Sequence, residues 1–215
     1  MESIQISRSS VVDRVAEALR QEMHSGRLRP GTPLRESSLV ESFKISRSTV
    51  REALQMLTVE GLLVKVPNKG VSVRRLTHTE IDDIFRTRRI LEVAGVRAVV
   101  DADHAELAAL ADAMSAYEAA VEAGDPSAIS EAHLRYHVSI VGLLGSSRLA
   151  AVEESLMAEL RLALTLVDMD SDDLPEMLRE HSEMMSLIRQ SRVEEAVVRV
   201  ERHLSHAKAF VMLSD

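Results

Sequence analysis

The stretch from Ser37 to Gly61, SSLVESFKISRSTVREALQMLTVEG, limits the possible folds more than any other part of the chain. A short helix reads over about Ser37–Phe43. A longer one opens at Ser46, a good N-cap, and runs to a stop at Gly61. In the longer helix Val50, Ala53, Leu54 and Leu57 recur at helical spacing and form an inward face. Its first turn is different in kind: Ser46, Arg47, Ser48, Thr49 and Arg51 are short donors and cations. Two helices joined by a tight turn, with a polar start to the second, make a helix-turn-helix. Such a second helix enters the major groove of DNA with its N-terminal residues toward bases and phosphates.

The flanks support that reading. Val11, Val12, Val15, Ala18, Leu19 and Met23 describe a helix over about Val11–Ser25. It ends at Gly26, and the turn-rich Arg29-Pro30-Gly31-Thr32-Pro33 follows. Beyond Gly61, the β-rich runs Leu62–Val66 and Val71–Val73 bracket Pro67-Asn68-Lys69-Gly70, which reads as a hairpin. The order helix, helix, turn, helix, hairpin is a winged helix. Arg47 and Arg51 lie four apart and share one helix face, and each guanidinium can fork onto a guanine or a phosphate. The plainer alternative is a surface helix with two ordinary arginines. The hairpin tip adds a cation, Lys69, and a flexible turn at Gly70, suited to backbone or minor-groove contact.

After Val73 the strand signals vanish. Thr79, with Glu80, Asp82 and Asp83 suiting a helix N-terminus, opens a long helix to about Asp101. Further helices read over about His104–Ala123, Pro126–Leu144, Ser147–Asp168, Leu174–Gln190 and Val193–Met212. Asp168–Asp173, with four Asp in six residues, reads as a solvated loop. The expected architecture is mainly α. A winged helix-turn-helix with a small β-hairpin occupies residues 1–76, and an all-α helical bundle occupies residues 77–215. Charge divides along the same line: residues 1–76 carry a net +5 and residues 77–215 a net −13, within a chain total of −8. That is the asymmetry of a chain whose front half meets phosphate and whose back half does not.

Aromatic residues are only 2% of the chain, so the core is aliphatic. There is no cysteine, which excludes disulfides and thiolate metal sites. No apolar run approaches the roughly 20 residues of a membrane span, and the start MESIQISRSS lacks the apolar segment of a signal peptide. A cytoplasmic protein without membrane contact is expected.

Seven of the eight histidines lie behind residue 77. His133 and His137 are four apart on one helix, a spacing that offers two imidazoles to one ion. His181 and His203 lie on two later helices, and a bundle could bring all four rings together. Nitrogen ligands without sulfur suit a divalent transition metal: Zn, with Ni, Mn, Fe or Cu also compatible. The plainer alternative is a set of unrelated core and surface histidines.

The stretch LRPGTPLRESSLVESFKISRSTVREALQMLTVEGLLVKVPNKGVSV resembles the N-terminal domain of the GntR family of regulators. The shared features are Pro30-Gly31, Leu34 and Glu36 around Arg35, the run Ile45–Leu54, Glu60-Gly61-Leu62-Leu63, and Gly70 in the wing. The resemblance implies DNA contact by Arg47 and Arg51, assisted by Ser46, Ser48, Thr49, Lys69 and Gly70. Many members carry an arginine where this chain has Ser37, so that contact is either absent here or supplied by Arg35. The second half resembles the FCD effector domain of the FadR subfamily. It carries Arg88-Arg89-Ile90-Leu91-Glu92, His133-Leu134-Arg135-Tyr136-His137, Glu180-His181 and His203-Leu204. His133 stands where metal-binding members usually have aspartate, so the implied ligand set is His133, His137, His181 and His203.

The resemblance implies a homodimer that binds a palindromic double-stranded DNA operator. It further implies a small carboxylate effector completing the metal's shell, with Arg88 pairing that carboxylate. Arg88 equally suits an intrahelical pair with Glu92. Three other functions stay open: a sensor of the metal itself, a metal-dependent enzyme, and a structural metal. Four histidine ligands leave little room for catalysis, and no H-E-x-x-H frame is present, so an enzyme is not expected.

Overall fold

The computed structural model describes residues 10–66, 70–168 and 174–213, without the side chains of residues 164–168. The chain divides into two compact units, residues 1–75 and 76–215.

The first unit holds α1 (Val11–His24), β1 (Pro33–Leu34), α2 (Glu36–Phe43), α3 (Arg47–Val59), β2 (Leu63–Val66) and β3 (Gly70–Val73). Ser10 starts α1 with a capping box: its side chain accepts from the Asp13 N–H, and the Asp13 carboxylate accepts from the Ser10 N–H. The buried stripe Val15, Ala16, Leu19 and Met23 packs on α3. There Val50, Ala53, Leu54 and Leu57 face inward, as their spacing requires. Each fully buried aliphatic side chain contributes roughly 1.5–3 kcal/mol, so this seam holds the unit together.

The tight turn between α2 and α3 is made by Lys44, in the left-handed region at φ 53°. The sheet has three antiparallel strands in the order β1-β3-β2, one more than the hairpin alone. Leu63 pairs with Val73 and Val66 with Gly70, while Pro33 and Leu34 add an edge strand opposite Ser72 and Val71. An edge is where a proline can sit without a missing donor.

The second unit contains α4 (His78–Ala98), α5 (His104–Ala123), α6 (Pro126–Gly142), α7 (Ser147–Asp168), α8 (Leu174–Arg189) and α9 (Val193–Leu213). The cap of α4 is Thr77, two residues before the expected Thr79. Its side chain and that of Glu80 cap each other's backbone. Leu110, Tyr117, Tyr136, Ile140, Met184 and Val200 lie in the core. Helix α6 packs against α4, α5 and α7, while α9 packs on α4 and α8. The crossing of α4 over α6 is close at Gly95, where an added Cβ would stand 2.2 Å from the Ile140 carbonyl oxygen. That approach sets Glu92, one turn earlier on α4, beside His137 on α6.

Candidate nucleic-acid interface and metal centre

In the first unit the sequence-assigned residues cluster at the start of α3. Ser46 is its N-cap: Oγ accepts from the Thr49 N–H at 3.2 Å and lies 2.8 Å from both Ser48 Oγ and Thr49 Oγ1. These three hydroxyls therefore fix the first turn of the helix before any DNA arrives. The side chains of Arg47 and Arg51 are 65% and 64% exposed, so both are available to a ligand. Both also meet one carboxylate. Arg51 Nε lies 3.0 and 2.9 Å from the two oxygens of Glu36, and Arg47 Nε lies 3.6 Å from Glu36 Oε2. Arg35, just before α2, is exposed and its side chain does not cap the helix. Gly70 begins β3 at φ +87°, a conformation that favours glycine over any side chain. Lys69 lies outside the described residues.

In the second unit α6 supplies His133 and His137, α8 supplies His181 and α9 supplies His203. All four are buried, and one ring nitrogen of each lies within 4.8 Å of the others. The orientation of the rings is set from behind. His137 Nδ1 is 2.8 Å from Glu92 Oε2, His181 Nδ1 is 2.6 Å from the Met177 carbonyl, and His203 Nδ1 is 3.2 Å from Glu180 Oε2. Carbonyl and ionised carboxylate oxygens only accept, so these partners assign the proton to Nδ1 in each ring. Tyr117 stacks on His133 at 5.2 Å between centroids and steadies that ring.

Three Nε2 lone pairs are left without protons and aimed inward. His137 Nε2 stands 3.2 Å from Nε2 of both His133 and His181, and His203 Nε2 has no hydrogen-bond partner. Buried lone pairs facing each other at that distance repel, and a cation among them removes the repulsion. The separation also fits the chemistry, since a tetrahedral ion with metal–nitrogen bonds of about 2.0–2.1 Å sets its ligand nitrogens roughly 3.3 Å apart. Burial holds the imidazoles of His137, His181 and His203 well below the usual histidine pKa. At neutral pH they are neutral donors, the form that ligates.

Arg88 is buried beneath this cluster. It pairs with Glu92 at 2.8 Å and with Glu153, on α7, at 3.3 Å. Burial, and then the neighbouring Glu92 carboxylate, push Glu153 up to about 8. Burial raises Glu92 as well, against the pull of the Arg88 guanidinium, and Glu92 turns its other oxygen to His137. The pair with Glu92 is one of the two roles open to Arg88 in the sequence.

A cavity of about 340 Å³ adjoins the histidines. Its lining includes His133, His203, Glu180 and His206, with Met177 and Phe210 supplying apolar surface. Glu180 joins the two sides: one oxygen faces His203, and the other stands 3.7 Å from His206 Nδ1. Sequence reasoning did not assign Glu153, nor a supporting role for Glu180. An acidic residue on a helix reads as solvent-facing until the fold shows what covers it.

The comparisons with known proteins agree with this anatomy. Residues 11–73 match the model of bacterial regulatory proteins of the gntR family, and residues 83–206 match the FCD domain. The HTH-type transcriptional regulator YdhC of Bacillus subtilis (strain 168) is 28% identical over 87% of this chain and 85% of that protein. The Nta operon transcriptional regulator of Aminobacter aminovorans is 30% identical over 82% of each chain. A solved GntR transcriptional regulator from Rhodococcus sp. RHA1 superposes with a TM-score of 0.77 at 27% identity, covering 96% of this chain and 100% of that one. Among the described residues no helix is long and apolar enough to cross a membrane. The chain belongs to the GntR family of bacterial regulatory proteins and carries an FCD domain behind its reader: it is a DNA-binding transcription regulator.

Proposed function

We propose that this regulator responds to a small carboxylate effector bound at a divalent transition metal, held by His133, His137, His181 and His203. The observation that carries the reading is the inward convergence of Nε2 lone pairs whose Nδ1 partners are already in place. A bound cation, with Zn the first choice for an all-nitrogen set, supplies a Lewis-acidic point for carboxylate oxygens. This chain's residues do the rest. Glu92, Glu180 and the Met177 carbonyl hold the rings, and the adjoining cavity, with His206 at its polar side and Phe210 at its apolar side, receives the body of the effector.

Control of DNA binding then requires that the effector bind two arrangements of the reader with different affinity. The reader works as a homodimer on a palindromic operator, because one recognition helix reads one half-site.

A second reading, in which the metal itself is the signal, is favoured by one observation. Arg88 is already engaged by Glu92 and Glu153, so an effector carboxylate meeting it has to displace one of them. One experiment separates the two. A preferred duplex is first selected from a random pool. Its affinity is then measured for metal-loaded and chelator-stripped protein, with and without a panel of short mono- and dicarboxylates. A shift of tenfold or more caused by a carboxylate, and only in metal-loaded protein, supports the effector reading. A shift on chelation that no carboxylate modifies supports metal sensing. Affinity indifferent to both rules out each reading.

A further inference from the structure

We infer that Glu36 is a specificity-determining residue of the DNA reader, which aligns Arg51 and Arg47 and opposes their capture by phosphate at arbitrary sequence. The inference rests on the assignment of α3 as the reading helix. Glu36 is the first residue of α2, yet its carboxylate meets Arg51 in α3, fifteen residues further along the chain. Both contacts from Arg51 start at Nε, at 3.0 and 2.9 Å, and Arg47 approaches the same carboxylate through Nε at 3.6 Å. A guanidinium has five N–H donors, and four of them are on the two Nη nitrogens. A carboxylate that takes Nε from behind leaves the Nη pair as a planar fork in a set orientation. That fork suits the O6 and N7 edge of guanine.

The same carboxylate has an electrostatic effect. Glu36 keeps 34% of its side-chain exposure, so it presents negative charge at the surface from which both arginines project. Phosphate contact is the sequence-independent part of DNA affinity. A fixed anion at the reading surface weakens every complex by repelling phosphate, but only the correct base edge recovers the loss by using the aligned fork. Exposed ion pairs add little to stability. The pair is therefore assigned to recognition rather than to holding the fold, in which α1 and α3 supply the seam.

The test uses full-length protein, a duplex selected from a random pool by the wild type, and mixed-sequence genomic DNA as competitor. Affinity for both is measured across a salt series for wild type, Glu36→Gln and Glu36→Ala, with circular dichroism and a melting curve as controls for folding. Glu36→Gln keeps an oxygen that can accept from Arg51 Nε but removes the charge. The expected result is tighter binding of both variants to mixed-sequence DNA. Glu36→Ala should in addition lose at least tenfold in preference for the selected duplex, with Glu36→Gln between it and wild type. The salt dependence should steepen by up to about 0.9 in log–log slope, the value of one additional phosphate contact. Unchanged preference in a folded Glu36→Ala overturns the inference while leaving the reader assignment intact. If the wild type selects no preferred duplex, the reader assignment fails, and the inference with it. If Glu36→Ala does not fold, the role is structural, and the inference is overturned unless Glu36→Gln shows the tighter nonspecific binding.

Discussion

Gly95→Ala isolates the packing on which the histidine cluster depends. At an open helical position this change stabilises by about 0.8–1.0 kcal/mol, because alanine is the better helix former. Here the added Cβ would lie 2.2 Å from the Ile140 carbonyl oxygen, 2.8 Å from its carbonyl carbon and 3.1 Å from the Val141 Cα. These are backbone atoms in the last turn of α6, so no side chain can swing aside. Ordinary contact begins near 3.4 Å, and α4 and α6 must separate by roughly 1 Å at the crossing. Overpacking of this kind costs typically about 1–3 kcal/mol, and backbone clashes fall at the upper end. After the propensity gain is subtracted, a net loss of about 2 kcal/mol is expected.

The same separation reaches the site. Glu92 sits on the preceding turn of α4, and its 2.8 Å bond to His137 Nδ1 spans the gap that widens. Loss of such a supporting contact typically lowers metal affinity about 10–100-fold. Urea unfolding of metal-free protein gives the stability term, and competition with a chromophoric chelator gives the affinity. A variant as stable as the wild type, or more so, would refute the close-crossing argument. Lowered stability with unchanged affinity would break the proposed link between the crossing and the site.

Three further outcomes are expected. Lys44→Gly should raise stability by about 0.5–1 kcal/mol, because Lys44 holds φ 53° and glycine takes that region without strain; a loss on thermal or urea unfolding would contradict the assignment. Glu153 has its pKa raised in the fold to about 8, so its contribution is complete below the ordinary carboxylate range and is lost as pH rises through 8. Wild type should therefore lose stability relative to Glu153→Gln across that window, with a slope of up to about 1.4 kcal/mol per pH unit, while the buried histidines, common to both proteins, cancel in the difference. Parallel curves from pH 5 to 8 would show that Glu153 is ionised in the folded protein. Arg47→Ala should abolish preference for the selected duplex with the fold retained, and full affinity with undiminished preference would remove Arg47 from the reading surface.

Much of the architecture was legible because helices announce themselves through apolar spacing. Val50, Ala53, Leu54 and Leu57 mark the buried face of α3 directly, and Ser46 marks its start. The missed features lack a periodic signal. Strand β1 is two residues long and contains Pro33, so it exists only because β3 offers a pairing edge. Lys44 bears no mark of its left-handed backbone, which is imposed by the geometry of the turn. At the N-terminus of α4, Thr77 and Thr79 are equally plausible caps, and the reciprocal bond with Glu80 decides for Thr77. Within the site, the pair His133 and His137 follows from helical spacing alone. Its union with His181 and His203 depends on three helices meeting, and the resemblance to a known domain supplied that. Glu153 had no signal: its exposure is 0% because α4 covers it with Arg88, a fact of tertiary packing alone.

The most direct measurement is the metal content of untagged protein, purified without chelator and beside His137→Ala, by elemental mass spectrometry. The expected result is about one divalent transition metal per chain, as for a single four-histidine site, and none in the variant. Wild-type protein that holds no metal and takes none up from added Zn, Ni, Mn or Fe would contradict the proposed centre, leaving the four histidines as core residues.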